Sequence, residues 1–197
     1  MGLVTYLDFG PSFAATAIKK LPGWAALIRS EDGAAEATLL VEANRPERFA
    51  LIETWSDPAK LNAYQASGGR LEPPTASGLS APPDARIGQP FSVGTTRPAG
   101  PEALYILVHV DVAPFDLTAA GHWLRAQAEA ARLAPGALRY EVWCQVDRPN
   151  HFTAIQAWID HAAYTDHVES AATCAYRANL LSMRGALYDE RHYRRVD

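Results

Sequence analysis

Cysteine is scarce in this chain of 197 residues. Only Cys144 and Cys174 occur, both in the C-terminal half. Two such residues build no disulfide framework, so a reducing compartment is expected, with the cytoplasm as the default. Excess positive charge is lacking too: 18 Lys and Arg stand against 22 Asp and Glu, a formal net charge of −4. With no basic stripe, there is no electrostatic ground for expecting nucleic acid as a partner. No apolar run reaches the ~18 residues of a membrane span. Residues 1–6, Met1-Gly2-Leu3-Val4-Thr5-Tyr6, lack the basic leader and apolar stretch of a signal peptide, and no membrane partner is expected. Chemical motifs are equally sparse. There is no Gly-x-Gly-x-x-Gly, no phosphate-binding loop and no nucleophile elbow. His161 and His167 are six apart, not at the i,i+4 spacing that puts two metal ligands on one helix face. Neither a metal nor a cofactor is expected.

What the chain does have is a repeat of itself. Residues 1–67 shifted by 103 lie on 104–170 without a gap, and 16 of the 67 pairs are identical. Unrelated sequences of ordinary composition would give about four. The densest stretch, Arg45-Pro46-x-x-Phe49-x-x-Ile52-x-x-Trp55-x-Asp57-x-Ala59, returns as Arg148-Pro149-x-x-Phe152-x-x-Ile155-x-x-Trp158-x-Asp160-x-Ala162. A period near 100 is too long for a solenoid, whose units run to roughly 20–50 residues, and suits a duplicated small domain. The expected division is 1–97 and 98–197, with the Gly-, Pro-, Ser- and Ala-rich residues 68–101 as a surface linker. One short strand is expected within that linker, near 86–93.

Each copy reads β-α-β-β-α-β. In the second, residues 104–111 are rich in β-branched side chains and read as a strand. Asp116 is a plausible N-cap for an Ala-rich helix over 117–133, which Pro135-Gly136 stops. Leu138, Tyr140, Val142, Cys144 and Val146 alternate with Arg139, Glu141, Trp143 and Gln145, the period of a strand. Turn residues 147–150 lead to a strand at 151–158, making a hairpin. Asp160 can cap a helix to about 169, with helical signal continuing to 183, and 187–194 reads as a last strand. In the first copy the strand is expected at 3–9, the hairpin at 38–43 and 48–55, and the second helix from about Asp57. The first helix lies within 13–30, where Pro22-Gly23 should delay or kink it, at about 3 kcal/mol for an interior proline.

Pro135-Gly136, Tyr140-Glu141-Val142, Asp147-Arg148-Pro149, the run from Phe152 to Asp160 and His167-Val168-Glu169-Ser170 together resemble the antibiotic biosynthesis monooxygenase family. The likeness covers most of 104–195. It is weaker in the first copy, through Asn44-Arg45-Pro46, 49–57 and Ser67. It implies an α+β fold: two ferredoxin-like repeats forming an intramolecular dimeric α+β barrel, a pseudo-dimer within one chain. Further pairing of two chains stays open. It also implies a cofactor-independent monooxygenase acting on an aromatic small molecule of the phenol or quinol type. Two alternatives stand beside that reading: a non-enzymatic binding or structural module with a decayed pocket, and a haem-binding protein with a His as axial ligand.

All six histidines fall in the second copy, which is therefore the expected site of any chemistry. His167 and His109 are the candidate catalytic residues, since imidazole titrates near neutrality and can act as base or hydrogen-bond donor. Trp143, Trp158, Tyr164 and Tyr140 are the candidate substrate-binding residues. Trp158 has a counterpart in Trp55, so core packing is the stronger reading for it. Trp143 and Tyr140 stand where the first copy has Leu40 and Ala37, which suits an aromatic wall. The unshared positions His109, Trp143, Tyr164 and His167, opposite Tyr6, Leu40, Leu61 and Tyr64, are where ligand contact would persist. The segment 189–192, Asp-Glu-Arg-His, reads as a solvated strand edge.

Overall fold

The computed structural model describes residues 1–66, 75–100 and 102–196. Of the linker expected at 68–101, residues 68–74 and 101 lie outside these. Contacts divide the chain into two units, one of residues 1–88 with 194–197, the other of 89–193.

The first unit begins with β1 (Gly2–Asp8), followed by α1 (Ala14–Arg29), β2 (Ala34–Glu42), β3 (Arg45–Trp55) and α2 (Pro58–Ala66). It takes in the first part of β4 (Asp84–Ser92), the strand expected near 86–93. The strands are antiparallel in the order β4-β1-β3-β2. Ala17, Leu21, Ala25 and Ile28 recur at three and four along α1 and are buried, giving the helix one apolar stripe. Pro22 lies inside α1, which runs from Ala14 to Arg29 without the late start expected. The buried stripe supplies the compensating stability, as tertiary packing usually does for helices.

The second unit repeats the plan: β5 (Leu104–Asp111), α3 (Leu117–Leu133), β6 (Ala137–Gln145), β7 (His151–Trp158), α4 (His161–Glu169), α5 (Ala171–Leu181) and β8 (Asp189–Arg195). Its strand order, β8-β5-β7-β6, is that of the first unit. Both units are ferredoxin-like α+β folds. Asp116 does sit at the N-cap of α3, but its side chain makes no capping bond. Asp160 caps α4 as expected, its Oδ1 accepting from the Ala163 amide at 2.8 Å.

The duplication persists at the level of bonds. Gly33 and Gly136, 103 apart, both take positive φ, 91° and 77°, where helix hands over to strand. Their carbonyls accept from Ser56 and Ile159, each at 2.9 Å. Asp8 pairs with Arg48 at 3.2 Å, and the equivalent Asp111 with His151 at 2.7 Å. In the second unit one sheet face, with Ile106, Val108, Val110, Tyr140, Val142, Phe152, Ala154 and Trp158, packs against α3, α4 and α5 in a single core.

Gly136→Ala meets both an unfavourable φ and a clash with Ala163 and Ile159. It is expected to cost more than about 1 kcal/mol. Gly23→Ala lies within α1 with nothing in reach of the new methyl and should add about 0.5–1 kcal/mol. Thermal melts of the two variants should therefore move in opposite directions. A shared direction contradicts this account of the two glycines.

Candidate functional site

The second unit gathers polar and aromatic side chains between its sheet and its helices. On β7 the period-two alternation puts Gln156 and Trp158 on the helix-facing side, where Trp158 Nε1 donates to Gln156 Oε1 at 3.1 Å. The Asp160 cap fixes where α4 begins, and Tyr164 and His167, three apart, are its two buried residues. The helix ends at Ser170, whose side chain accepts from the Thr173 amide and starts α5. As a result Trp158 stacks on the His167 ring, with centroids 4.4 Å apart and planes at 29°. Tyr140, from β6, meets the same imidazole edge-on at 5.8 Å.

Two polar groups flank this stack. The first surrounds Gln127 of α3, which is buried. Its Nε2 donates to Thr173 Oγ1 at 2.9 Å and lies 3.3 Å from His167 Nε2. Gln127 Oε1 is buried and has no hydrogen-bond partner among the described residues, a state that costs about 1–3 kcal/mol. The second surrounds Glu190 on β8. Its carboxylate accepts from the hydroxyls of Tyr164 and Tyr188, the latter at 2.8 Å, and lies 3.3 Å from Arg177 Nη2 and 2.9 Å from His192 Nε2. A mainly apolar cavity of about 370 Å3 opens beside this group, lined by Arg177, Leu180, Leu181, Arg184 and Tyr188.

The electrostatics follow from burial and pairing. Burial lowers the pKa of His167 to about 4, with the Arg177 charge acting in the same direction and Glu190 partly opposing it. Burial would raise Glu190, but the bonds from His192, Tyr164 and Tyr188 and the Arg177 charge outweigh it and hold the carboxyl near 2. Burial, reinforced by the Glu190 bond, pushes the Tyr164 hydroxyl far above its ordinary range. Burial likewise raises Tyr140. At neutral pH the site therefore holds an uncharged imidazole, protonated phenols and a salt-bridged carboxylate.

Of the six residues singled out from the sequence, four meet here: His167, Trp158, Tyr140 and Tyr164. His109 and Trp143 are buried on the opposite face of the sheet. His109 Nδ1 lies 3.2 Å from Thr153 Oγ1, and Trp143 Nε1 donates to Glu141 Oε2 at 3.2 Å. The segment 189–192 is more than a solvated edge, since Glu190 is the hub of the second polar group. Gln127, Thr173, Arg177 and Tyr188 also went unread. A buried Gln on a helix with otherwise small or apolar buried positions was the one local signal. Among the described residues no three His, Cys, Asp or Glu side chains come together to hold a metal ion, and no helix is long and apolar enough to cross a membrane.

Residues 104–179 match the family model of antibiotic biosynthesis monooxygenases. Among solved structures, a candidate monooxygenase from Fusobacterium nucleatum is similar over 100% of this chain and 92% of its own, with a TM-score of 0.87 at 9% identity. A candidate monooxygenase from Lactobacillus acidophilus is similar over 100% and 93%, with a TM-score of 0.79 at 16% identity. An anthrone oxidase-like protein is similar over 100% and 91%, with a TM-score of 0.76 at 12% identity. At these identities the likeness is one of fold. A comparison with curated proteins found no match.

The depressed pKa of His167 makes a test of this packing. Between its ordinary value of 6.5 and about 4, the unfolded chain binds a proton that the folded chain does not. Stability should thus fall as pH drops through that window, by up to about 3 kcal/mol from this residue. Denaturant titrations of the parent and of His167→Gln should diverge in slope between pH 6.5 and 4. Parallel curves contradict a buried, neutral imidazole.

Proposed function

We propose that the antibiotic biosynthesis monooxygenase domain at residues 104–179 makes this protein a cofactor-independent monooxygenase for an aromatic phenol- or quinol-type small molecule. The observation that carries the reading is the lone acceptor Gln127 Oε1, buried beside an imidazole walled by Trp158 and Tyr140. A phenolic O–H is the donor that such an acceptor lacks, and an aromatic ring suits the surrounding walls. The cavity on the Arg177 and Tyr188 side of the Glu190 group is of a size common for small-molecule sites. The fold shared with an anthrone oxidase-like protein makes anthrones reasonable first candidates.

In this reading the substrate brings the electrons. His167 takes a proton from the substrate's hydroxyl or activated ring carbon. A pKa near 4 makes it a weak base in the free protein, but the anion formed beside it would favour the charged imidazolium. The electron-rich anion then reduces dioxygen and combines with it. For an anthrone-type ring CH2, one oxygen atom stays as the new carbonyl, and the other leaves as water with the two hydrogens. Gln127 and Thr173 orient the imidazole, while Tyr164 stays protonated with its hydroxyl committed to Glu190 and so fixes the wall beside it.

One observation favours the non-enzymatic module instead. His167 is 6% exposed, its Nε2 already faces Gln127 and Thr173, and Trp158 covers one ring face. With Nε2 already facing Gln127 and Thr173, that nitrogen is also not open to a haem iron. Oxygen uptake with hydroquinones and anthrones, with no flavin or metal added, separates the readings. Consumption by the parent, reduced at least ~100-fold in His167→Ala, is the expected outcome for acid–base chemistry. Saturable binding of the same compounds without uptake indicates the module, and neither binding nor uptake contradicts an aromatic ligand.

A further inference from the structure

The second unit has another cavity, about 340 Å3, lined by residues of the segment after β4, by α3 and by β6. His167, Trp158 and Tyr164 do not line it. Three arginines line it, Arg97, Arg132 and Arg139, and no acidic residue does. Arg139 is buried and lies 3.0 Å from Glu141, which balances its charge. The other two charges are unmatched. Arg132 donates to the Tyr140 carbonyl at 3.1 Å and the Ser92 hydroxyl at 3.2 Å, both neutral. The Arg97 side chain has no partner among the described residues, although its backbone N–H is tied to the Leu138 carbonyl at 2.8 Å. Gly94 lets the Arg132 stem lie across the cavity wall, because a Cβ there would overlap its Cδ.

A concave space with two uncompensated guanidiniums, one braced by neutral acceptors and one free to turn, is built to receive negative charge. We infer that this cavity is a second ligand site, which binds the phosphate or carboxylate group of a small anionic molecule. Guanidinium forks pair bidentately with either group. The Thr95 hydroxyl, also on the wall, adds a neutral donor. The volume leaves room for a small body attached to the anionic group. Tyr140 lines this cavity as well as meeting His167, but anion binding here does not require the proposed oxygenation chemistry.

Isothermal titration of the full chain with inorganic phosphate, and separately with succinate, tests the inference. At low ionic strength at least one probe should bind with Kd below about 1 mM, and added salt should weaken it. Binding of phosphate alone identifies a phosphate group as the feature recognised, and binding of succinate alone a carboxylate. Arg97 is exposed, so Arg97→Ser leaves the core intact and should weaken binding about tenfold, the loss of one charge-assisted contact. Gly94→Ala keeps every charge but displaces Arg132, and should weaken binding as well. Failure of both probes to bind below about 10 mM overturns the proposal. So does either cavity variant binding as tightly as the parent.

Discussion

The stacking of Trp158 on His167 is the contact on which the rest of the candidate site depends. It joins the end of β7 to α4, and it holds only because the few residues between them are fixed. The positive φ of Gly136 lets its carbonyl receive the Ile159 amide, and Asp160 then starts the helix. With those in place, the imidazole reaches Gln127 of α3 and Thr173 of α5, while Tyr164 reaches Glu190 on β8. Burial in that stack is also what keeps the imidazole uncharged. Packing and electrostatics are here one constraint: a side chain pressed against an indole and away from water loses the solvation that its charged form needs.

The first repeat shows what the same joint looks like without the polar shell. Trp55 packs on Tyr64 with centroids 4.9 Å apart and planes at 32°, close to the geometry of its counterpart. Its indole donates to Glu53 at 3.1 Å, as Trp158 does to Gln156 at the same offset. Around it, however, stand Trp24, Ala37 and Leu61 where the second repeat has Gln127, Tyr140 and Tyr164. The scaffold and the indole bond are shared, while the polar side chains of Gln127, Tyr140 and Tyr164 have no polar counterpart at the equivalent positions. That difference supports the second repeat as the half that binds a ligand.

Much of the fold was legible because each element carries its own local signal. The 103-residue offset, the alternation along β6, the glycines that end α1 and α3 and the aspartate that starts α4 are all properties of short segments. Pro22 misled because its local cost is real, while the buried stripe that offsets it is a tertiary effect. The site was half legible for the same reason. Trp158, Tyr164 and His167 lie within ten residues, and their spacing brings them together. Gln127, Thr173, Arg177 and Glu190 come from three other elements, and nothing in their own neighbourhoods reports where those elements pack. Trp143 is the instructive case. An odd offset from Tyr140 on one strand already places the two on opposite faces, so one pocket could not hold both.

The central claim is that the His167 stack is a binding site for an aromatic phenol. Nuclear magnetic resonance of imidazole-labelled protein, titrated with a naphthohydroquinone under anaerobic conditions, addresses it directly. The account predicts a saturable shift of the His167 ring signals with the imidazole still uncharged at neutral pH, because a bound phenol donates its hydroxyl to the neutral ring and excludes water from it. Saturable shifts confined to other histidines, or none at all, would show that the stack is only packing.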